Sequence, residues 1–469
     1  MNKIYVLLFC SLWIGCSKEK FLDEKPNQSI VVPQTLKDLQ AIVDNTGLLN
    51  GILGSNHPGI VPILGQTASD EYFFGRPNLY ANGDPLLMST YTWRQEDIYA
   101  GNSSVNDWSQ PYKAILSLNI CIEQLGKLGL SDLDVLEGRR VKGTALFHRA
   151  HLYYHLAQVF APVYQKSNAG NTLGLPLRLK ADVNEKLERN TLLDTYNQII
   201  ADLEESILYL PEQASYTTRP TVTAVYAMLS RVYLSMSDHT NALKYSEKAL
   251  ELKSSLMDFN NLDSLSAYPI SNNNEEIIFN CLSSIGGNIA TAFINPYASV
   301  DSAIVKAYSS GDLRKPIFLV KRTESQSLGF RFKGSYFGGM YFFSGLATDE
   351  LYLIKAECLA RAGRSDEACA VLNKLLEKRF KPEKFIPIDV DDAKELLHVI
   401  LMERRKELLY RGVRWTDLRR LNLDPLLAVT VRRSIGGQVF ELPPNDPRYV
   451  YPIPHDVLMF HPGMEQNPR

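Results

Sequence analysis

Three histidines, His148, His151 and His155, stand at spacings of three and four residues, which would put their rings on one face of a helix. That arrangement could hold Zn²⁺, but no HExxH pattern accompanies it and no nearby carboxylate offers a fourth ligand. The three also adjoin an apolar stripe of Phe147, Ala150, Tyr154 and Ala157. They are therefore expected to be core or interface histidines, and no metal is expected. Two acidic pairs, Asp70–Glu71 and Glu96–Asp97, raise a second chemistry, because glycoside hydrolysis needs two carboxyl groups flanking the scissile bond. Neighbouring side chains in extended backbone point apart, so solvated roles are expected instead. No G-x-S-x-G, P-loop or Rossmann glycine pattern is present. No catalytic residue and no cofactor is assigned.

Holding a sugar without transforming it asks for other residues: flat apolar faces to stack on a pyranose ring, with amide, carboxylate or guanidinium groups beside them. The chain has 24 Tyr, 19 Phe and 4 Trp. Many fall in two irregular blocks, about 47–107 and 258–348, where Gly, Pro, Asn and Ser interrupt any periodicity. Binding groups concentrate in such loops. The expected ligand contacts are Asp70, Tyr72, Phe74, Trp93 and Arg94 in the first block, and Asn295, Tyr297 and Tyr336 in the second. The competing expectation is that these aromatics fill a core, as most aromatics do.

A net charge of −2 gives no electrostatic case for nucleic acid or for an anionic membrane surface. After residue 16 no window has the 18 or more apolar residues of a spanning helix. Before it, Lys3 and the apolar run Ile4–Ile14 lead to Gly15–Cys16, which looks like a lipoprotein processing box with Trp13 in place of the usual Leu. Residues 1–15 are thus expected to be a leader and Cys16 the lipidated anchor, followed by a tether over 16–34. Cys121, Cys281, Cys358 and Cys369 are expected to be free, since three of them sit in helical patterns as small core residues.

Most of the remaining pattern is helical. Ile115, Leu118, Ile122 and Leu125 form one stripe, and Tyr196, Ile199, Ile200, Leu203, Ile207 and Leu210 another, with Thr191 as N-cap. Two later segments fit the 34-residue tetratricopeptide template. In the first, Tyr226, Leu229, Ser230, Tyr233, Ala242 and Ala249 are in register; in the second, Tyr352, Ala356, Leu359, Ala368, Leu372 and Leu375. Gly363 is expected to end a helix there and Ser365 to cap the next. The fold class is mainly α: one domain over 35–469, with a scaffold of tetratricopeptide-like helical hairpins at about 108–257 and 349–421. The two irregular blocks form a loop-rich binding face with short β-hairpins, and a tail runs over 422–469 with a turn at Ile435–Gly436–Gly437.

The segment Leu401–Leu421 carries Glu403, Arg404, Arg405, Glu407, Leu408, Gly412, Arg414, Trp415, Asp417, Leu418, Arg419 and Arg420 in the order E-R-R-x-E-L-x-x-x-G-x-R-W-x-D-L-R-R. Read alone, it is a structural clamp, with forked guanidinium groups around a tryptophan plug, Asp417 within helical reach of Arg414 and Arg420, and Gly412 at a left-handed helix end. It resembles the C-terminal signature of the SusD/RagB family of outer-membrane nutrient-binding lipoproteins, with Arg411 where an acidic residue is usual. The ending YPIPHDVLMFHPGMEQNP is similar as well, with His461 for the usual Asn and Arg469 at the position where Gly is commoner. The resemblance implies a non-catalytic, surface-exposed binding protein, lipid-anchored in the outer membrane and seated on a SusC-like TonB-dependent transporter. The implied ligand is a glycan. A peptide, as for RagB-like members, is the alternative, and a surface glycosidase a more distant one. No ligand-contact residue carries over from the shared motifs.

Overall fold

The computed structural model describes residues 33–54, 58–74, 85–102, 105–132, 134–284, 298–322 and 329–469. The leader and Cys16, with Asn295 and Tyr297, lie outside these. Among the described residues, nine helices make the frame: α1 (Asn106–Leu125), α2 (Val135–Phe160), α3 (Leu192–Ile207), α4 (Val222–Ser235), α5 (His239–Leu252), α6 (Thr348–Arg361), α7 (Ser365–Glu377), α8 (Ala393–Glu407) and α9 (Arg414–Leu421). Successive members from α1 to α5 pack side by side; α6 then lies on α5 and is flanked by α7 and α8. The mainly α, tetratricopeptide-like class read from the sequence is the fold observed.

Local chemistry sets the boundaries. The Thr191 hydroxyl accepts the Asp194 N–H at the head of α3, and Thr221 and Asp238 cap α4 and α5 in the same way. Helix α2 is buried almost all round from Val141 to Phe160, which a helix tolerates only when other elements cover every side. Small residues let the α4–α5 pair close tightly: the Ser230 hydroxyl donates to the Ala242 carbonyl at 3.0 Å. In the α6–α7 hairpin Gly363 takes the left-handed conformation (φ 72°) that ends α6. Ser365 is not the cap expected of it. It is the first residue of α7, and its hydroxyl donates to the Asp391 carbonyl across the next loop.

Gly412 is left-handed (φ 75°) as expected, but α8 has already ended at Glu407, so the glycine turns the link into α9. A Cβ there would come 3.0 Å from the Ser344 hydroxyl. In the second irregular block Arg314–Phe318 is a short helix, and the chain is extended over Leu319–Lys321. That strand pairs with Phe330–Phe332; Tyr72–Phe74 pairs with Ala298–Val300, and Ile277–Phe279 with Leu346–Ala347, all antiparallel. The tail hairpin Val431–Ile435/Gln438–Leu442 turns through Gly436 and Gly437, both at positive φ, as a two-residue turn requires.

Candidate functional site

The signature segment builds a buried ionic seam rather than a binding surface. Glu407 accepts from Arg379 at 2.7 Å and from Arg314 at 3.1 Å, and Arg314 also binds Asp312 and Glu403. Asp417 takes Arg404 and Arg420, each at 2.8 Å, and Arg420 forks onto Glu357. The expected reach of Asp417 to Arg414 is not used. Arg414 instead grips Asp70, 344 residues earlier, at 2.7 and 2.8 Å, with Arg405 beside it. Burial pushes the Asp70 carboxyl up, yet the two guanidinium groups outweigh it and hold that carboxyl well below the usual range. Arg419 closes the C-terminal end of α2 by donating to the carbonyls of Ala157, Gln158 and Ala161. Trp415 is buried against Tyr449, with ring centres 4.8 Å apart.

Glu96 and Asp97 are exposed, as expected, but Asp70 and Glu71 do not have the solvated roles expected of them, because each is drawn inward by its own partners. Asp70 belongs to the seam, whereas Glu71 accepts from the Gln66 amide and from the Tyr410 N–H and is 1% exposed. Burial pushes Glu71 up to about 7, with the Asp70 charge adding to it and the Gln66 bond opposing it. No substrate could reach it there. The histidines lie on α2 and are buried. His151 and His155 are 4.5 Å apart, and the rings of His148 and His151 abut Phe279. Among the described residues no group of three His, Cys, Asp or Glu has the arrangement to hold a metal ion. The four later cysteines are free and buried, as expected.

The expected stacking residues are in the core. Tyr72, Phe74, Trp93 and Tyr336 are 3, 6, 1 and 1% exposed, so no ring offers a face to a ligand. The Trp93 indole donates to the Ala68 carbonyl at 3.0 Å, Tyr72 donates to the Thr67 carbonyl, and Tyr336 donates to Glu276 and Asp349. Arg433, from the tail hairpin, lies over Tyr91 (3.7 Å) and Trp93 (4.6 Å) and seals them. Each ring thus buries its large apolar area, and the polar atoms of Tyr72, Trp93 and Tyr336 find partners. Of the expected contacts within the described residues, Arg94 alone is exposed; its carbonyl accepts from the Arg469 guanidinium at 2.9 Å.

Beside Arg94 a groove of about 480 Å³ runs between the loop 93–102 and the tail. That volume suits a small-molecule site. Trp93, Asp97 and Ala100 hold positive φ (51°, 45° and 52°), a conformation costly for non-glycine residues and kept only where the surroundings enforce it. Asp97 steadies the loop by accepting the Gly101 N–H at 2.8 Å, and the Tyr99 hydroxyl ties it to the Pro452 carbonyl. Gln95, Asp97, Asn102, His455 and Gln466 supply polar groups, with Ile98 and Leu458 between them. Sequence reading missed Asn102, His455 and Gln466. The turn-forming Gly101–Asn102 marks the loop, but nothing in the sequence couples it to a tail more than 350 residues away.

Comparison with known proteins follows the same lines. A SusD-like family profile, described as starch-binding associating with outer membrane, matches residues 20–234. A SusD family profile matches 348–469, and a tetratricopeptide repeat profile matches 223–256, the first of the expected hairpins. SusD-like protein P38 of Formosa agariphila is 36% identical over 123 residues; that match spans 25% of this chain but only 22% of the relative. SusD-like protein P2 of the same organism is 24% identical over 98% of this chain and 96% of its own length. The crystal structure of a SusD superfamily protein from Bacteroides vulgatus shares the fold with a TM-score of 0.74, at 21% identity, over 93% of this chain and 99% of that one. Among the described residues no helix is long and apolar enough to cross a membrane.

Proposed function

The chain belongs to the SusD/RagB family, and from that premise we propose that it captures glycans at the cell surface and hands them, unaltered, to a SusC-like TonB-dependent barrel. The observation that carries the reading is the groove between loop 93–102 and the tail: it is of ligand size and lined by amide, carboxylate and imidazole groups with apolar residues between them. Such a surface meets sugar hydroxyl groups by hydrogen bonds worth about 0.5–1.5 kcal/mol each, so affinity grows by adding sugar units rather than through one anchor. The burial of Glu71 and the double grip of Arg414 on Asp70 support a binding rather than a hydrolytic role. Lipid on Cys16 would hold the protein to the outer membrane, which replacing Cys16 by Ser and fractionating membranes would check.

The experiment is a glycan-array screen of the purified protein with a parallel assay for reducing-sugar release. Binding without turnover is expected, weakened about 3- to 10-fold in an Asn102→Ala variant. Binding of peptides alone, or release of reducing ends, would overturn the reading.

A further inference from the structure

A second hollow, of about 250 Å³, lies where the loop after α2 meets the end of α9 and the tail. Exposed Gln165, Asn168 and Asn445 rim it, and Pro162, Val163 and Pro447 form apolar walls. Its floor includes Asn422 and Tyr449, which are 3 and 4% exposed. The Asn422 Oδ1 accepts the Val429 N–H at 2.9 Å, which fixes the amide so that Nδ2 is the end left over. That Nδ2 and the Tyr449 hydroxyl lie beside each other, and neither makes a well-aligned hydrogen bond to any group. Tyr449 cannot turn away, because its ring is packed on Trp415.

Buried polar atoms are nearly always paired, and an unpaired one costs free energy that a ligand atom can return. Charge narrows the ligand class. The charged residues lining the hollow are Arg419, whose N–H groups are spent on the carbonyls at the end of α2, and Asp446, which is bound by Arg448 at 2.8 Å. Asp446 is already paired with Arg448, and Arg419 turns its terminal N–H donors to backbone carbonyls, so neither offers a hydrogen-bonded counter-ion to a charged ligand. A pocket below the roughly 300–1,000 Å³ of ordinary ligand sites has room for one small ring and not for a chain.

We infer that this hollow is a second carbohydrate site, separate from the groove, which seats one neutral sugar ring with an oxygen atom against Asn422 and Tyr449. That the ring is a sugar rests on the function proposed above; its size, neutrality and hydrogen-bond pattern rest on the hollow alone.

The test is saturation-transfer NMR on the full chain with D-glucose, D-galactose, D-mannose and L-rhamnose as probes and D-glucuronate as the charged control. At least one neutral sugar is expected to saturate and glucuronate is not. Tyr449→Phe should weaken that sugar about 3- to 10-fold while the melting temperature stays level or rises, because the deleted hydroxyl has beside it only the poorly aligned Asn422 amide. Asn102→Ala should leave this binding unchanged. Absence of binding by every neutral sugar, equal binding by Tyr449→Phe, or a lower melting temperature in that variant would overturn the inference. Oligosaccharide capture that Asn102→Ala weakens, with no single-sugar binding, sinks this site and spares the groove. Single-sugar binding without oligosaccharide capture does the reverse.

Discussion

The ionic seam of α8 and α9 and the small hollow at Asn422 beside the tail both contain buried polar side chains, and they differ in how much of that capacity is already used. In the seam every carboxylate is taken: Glu407 by two arginines, Asp417 by two, Glu357 by Arg420 and Arg361. Arg404 and Arg411 keep spare N–H groups, but they are sealed from solvent. Beside the tail, one residue past the end of α9, Asn422 has one end of its amide, Nδ2, without a well-aligned partner at an open hollow. Spent polar groups hold the frame; unspent ones with access are where a ligand can gain something. The signature residues of α8 and α9 thus build the scaffold, and the proposed binding lies at its margins.

The hardest way to break this comparison is Glu407→Ala. The substitution leaves Arg314 and Arg379, both fully buried, each short of one counter-charge. Removing one partner of a buried ion pair costs about 3–5 kcal/mol, because the remaining charge stays desolvated. Urea unfolding should show a loss of that size. A loss below about 1 kcal/mol would mean that the seam is wet and that its charges do not hold the frame.

The frame was legible in the sequence because helical period, caps and small-residue spacing are local. Thr191, Gly363 and the Ala242–Ala249 register need only neighbours within a turn or two. The site was not legible, because exposure of an aromatic is decided by distant chain. Trp93 reads as a binding residue in a loop until Arg433, 340 positions on, closes over it. Tyr336 likewise becomes a core residue only when Glu276 and Asp349 meet its hydroxyl. The signature arginines were legible as a clamp but their partners were not: Arg414 reaches Asp70 rather than Asp417. Asn422 and Tyr449 belong to no pattern at all.

The histidines of α2 sharpen the comparison, being unspent yet without an opening. Both ring nitrogens of His148 and His151 lack partners, with Phe147 and Phe279 against them and Arg231 and Glu350 nearby. Burial drags His148 down to about 3, and the same cause, with the Arg231 charge behind it, takes His155 to about 3. Folded values below the free one near 6.5 give stability that is whole above pH 6.5 and is lost as pH falls toward 3. Glu71 and Glu276, pushed up to about 7 by burial, act oppositely and lose their contribution as pH rises through 7. The measurement must therefore be differential. Relative to a His148→Leu variant, the wild type should lose about 2 kcal/mol between pH 7 and pH 5, at about 1.4 kcal/mol per pH unit. Equal pH dependence in the two proteins would show that water or another group reaches the imidazole.

The smallest effect should come from an ion pair of good geometry in the open. Arg432 and Glu441 face each other across the tail hairpin at 2.7 Å, as close as Arg379 and Glu407, but their side chains are 67 and 48% exposed. Water already solvates both ends, so the pair gains little by forming and leaves nothing stranded when it breaks. Arg432→Ala is expected to change stability by no more than about 0.5 kcal/mol in the same urea experiment. Since distance is held constant between the two pairs, the gap between Glu407→Ala and Arg432→Ala isolates desolvation. A loss from Arg432→Ala approaching that of Glu407→Ala would assign the seam's strength to pair geometry, and burial would cease to explain why one region is frame and the other is surface.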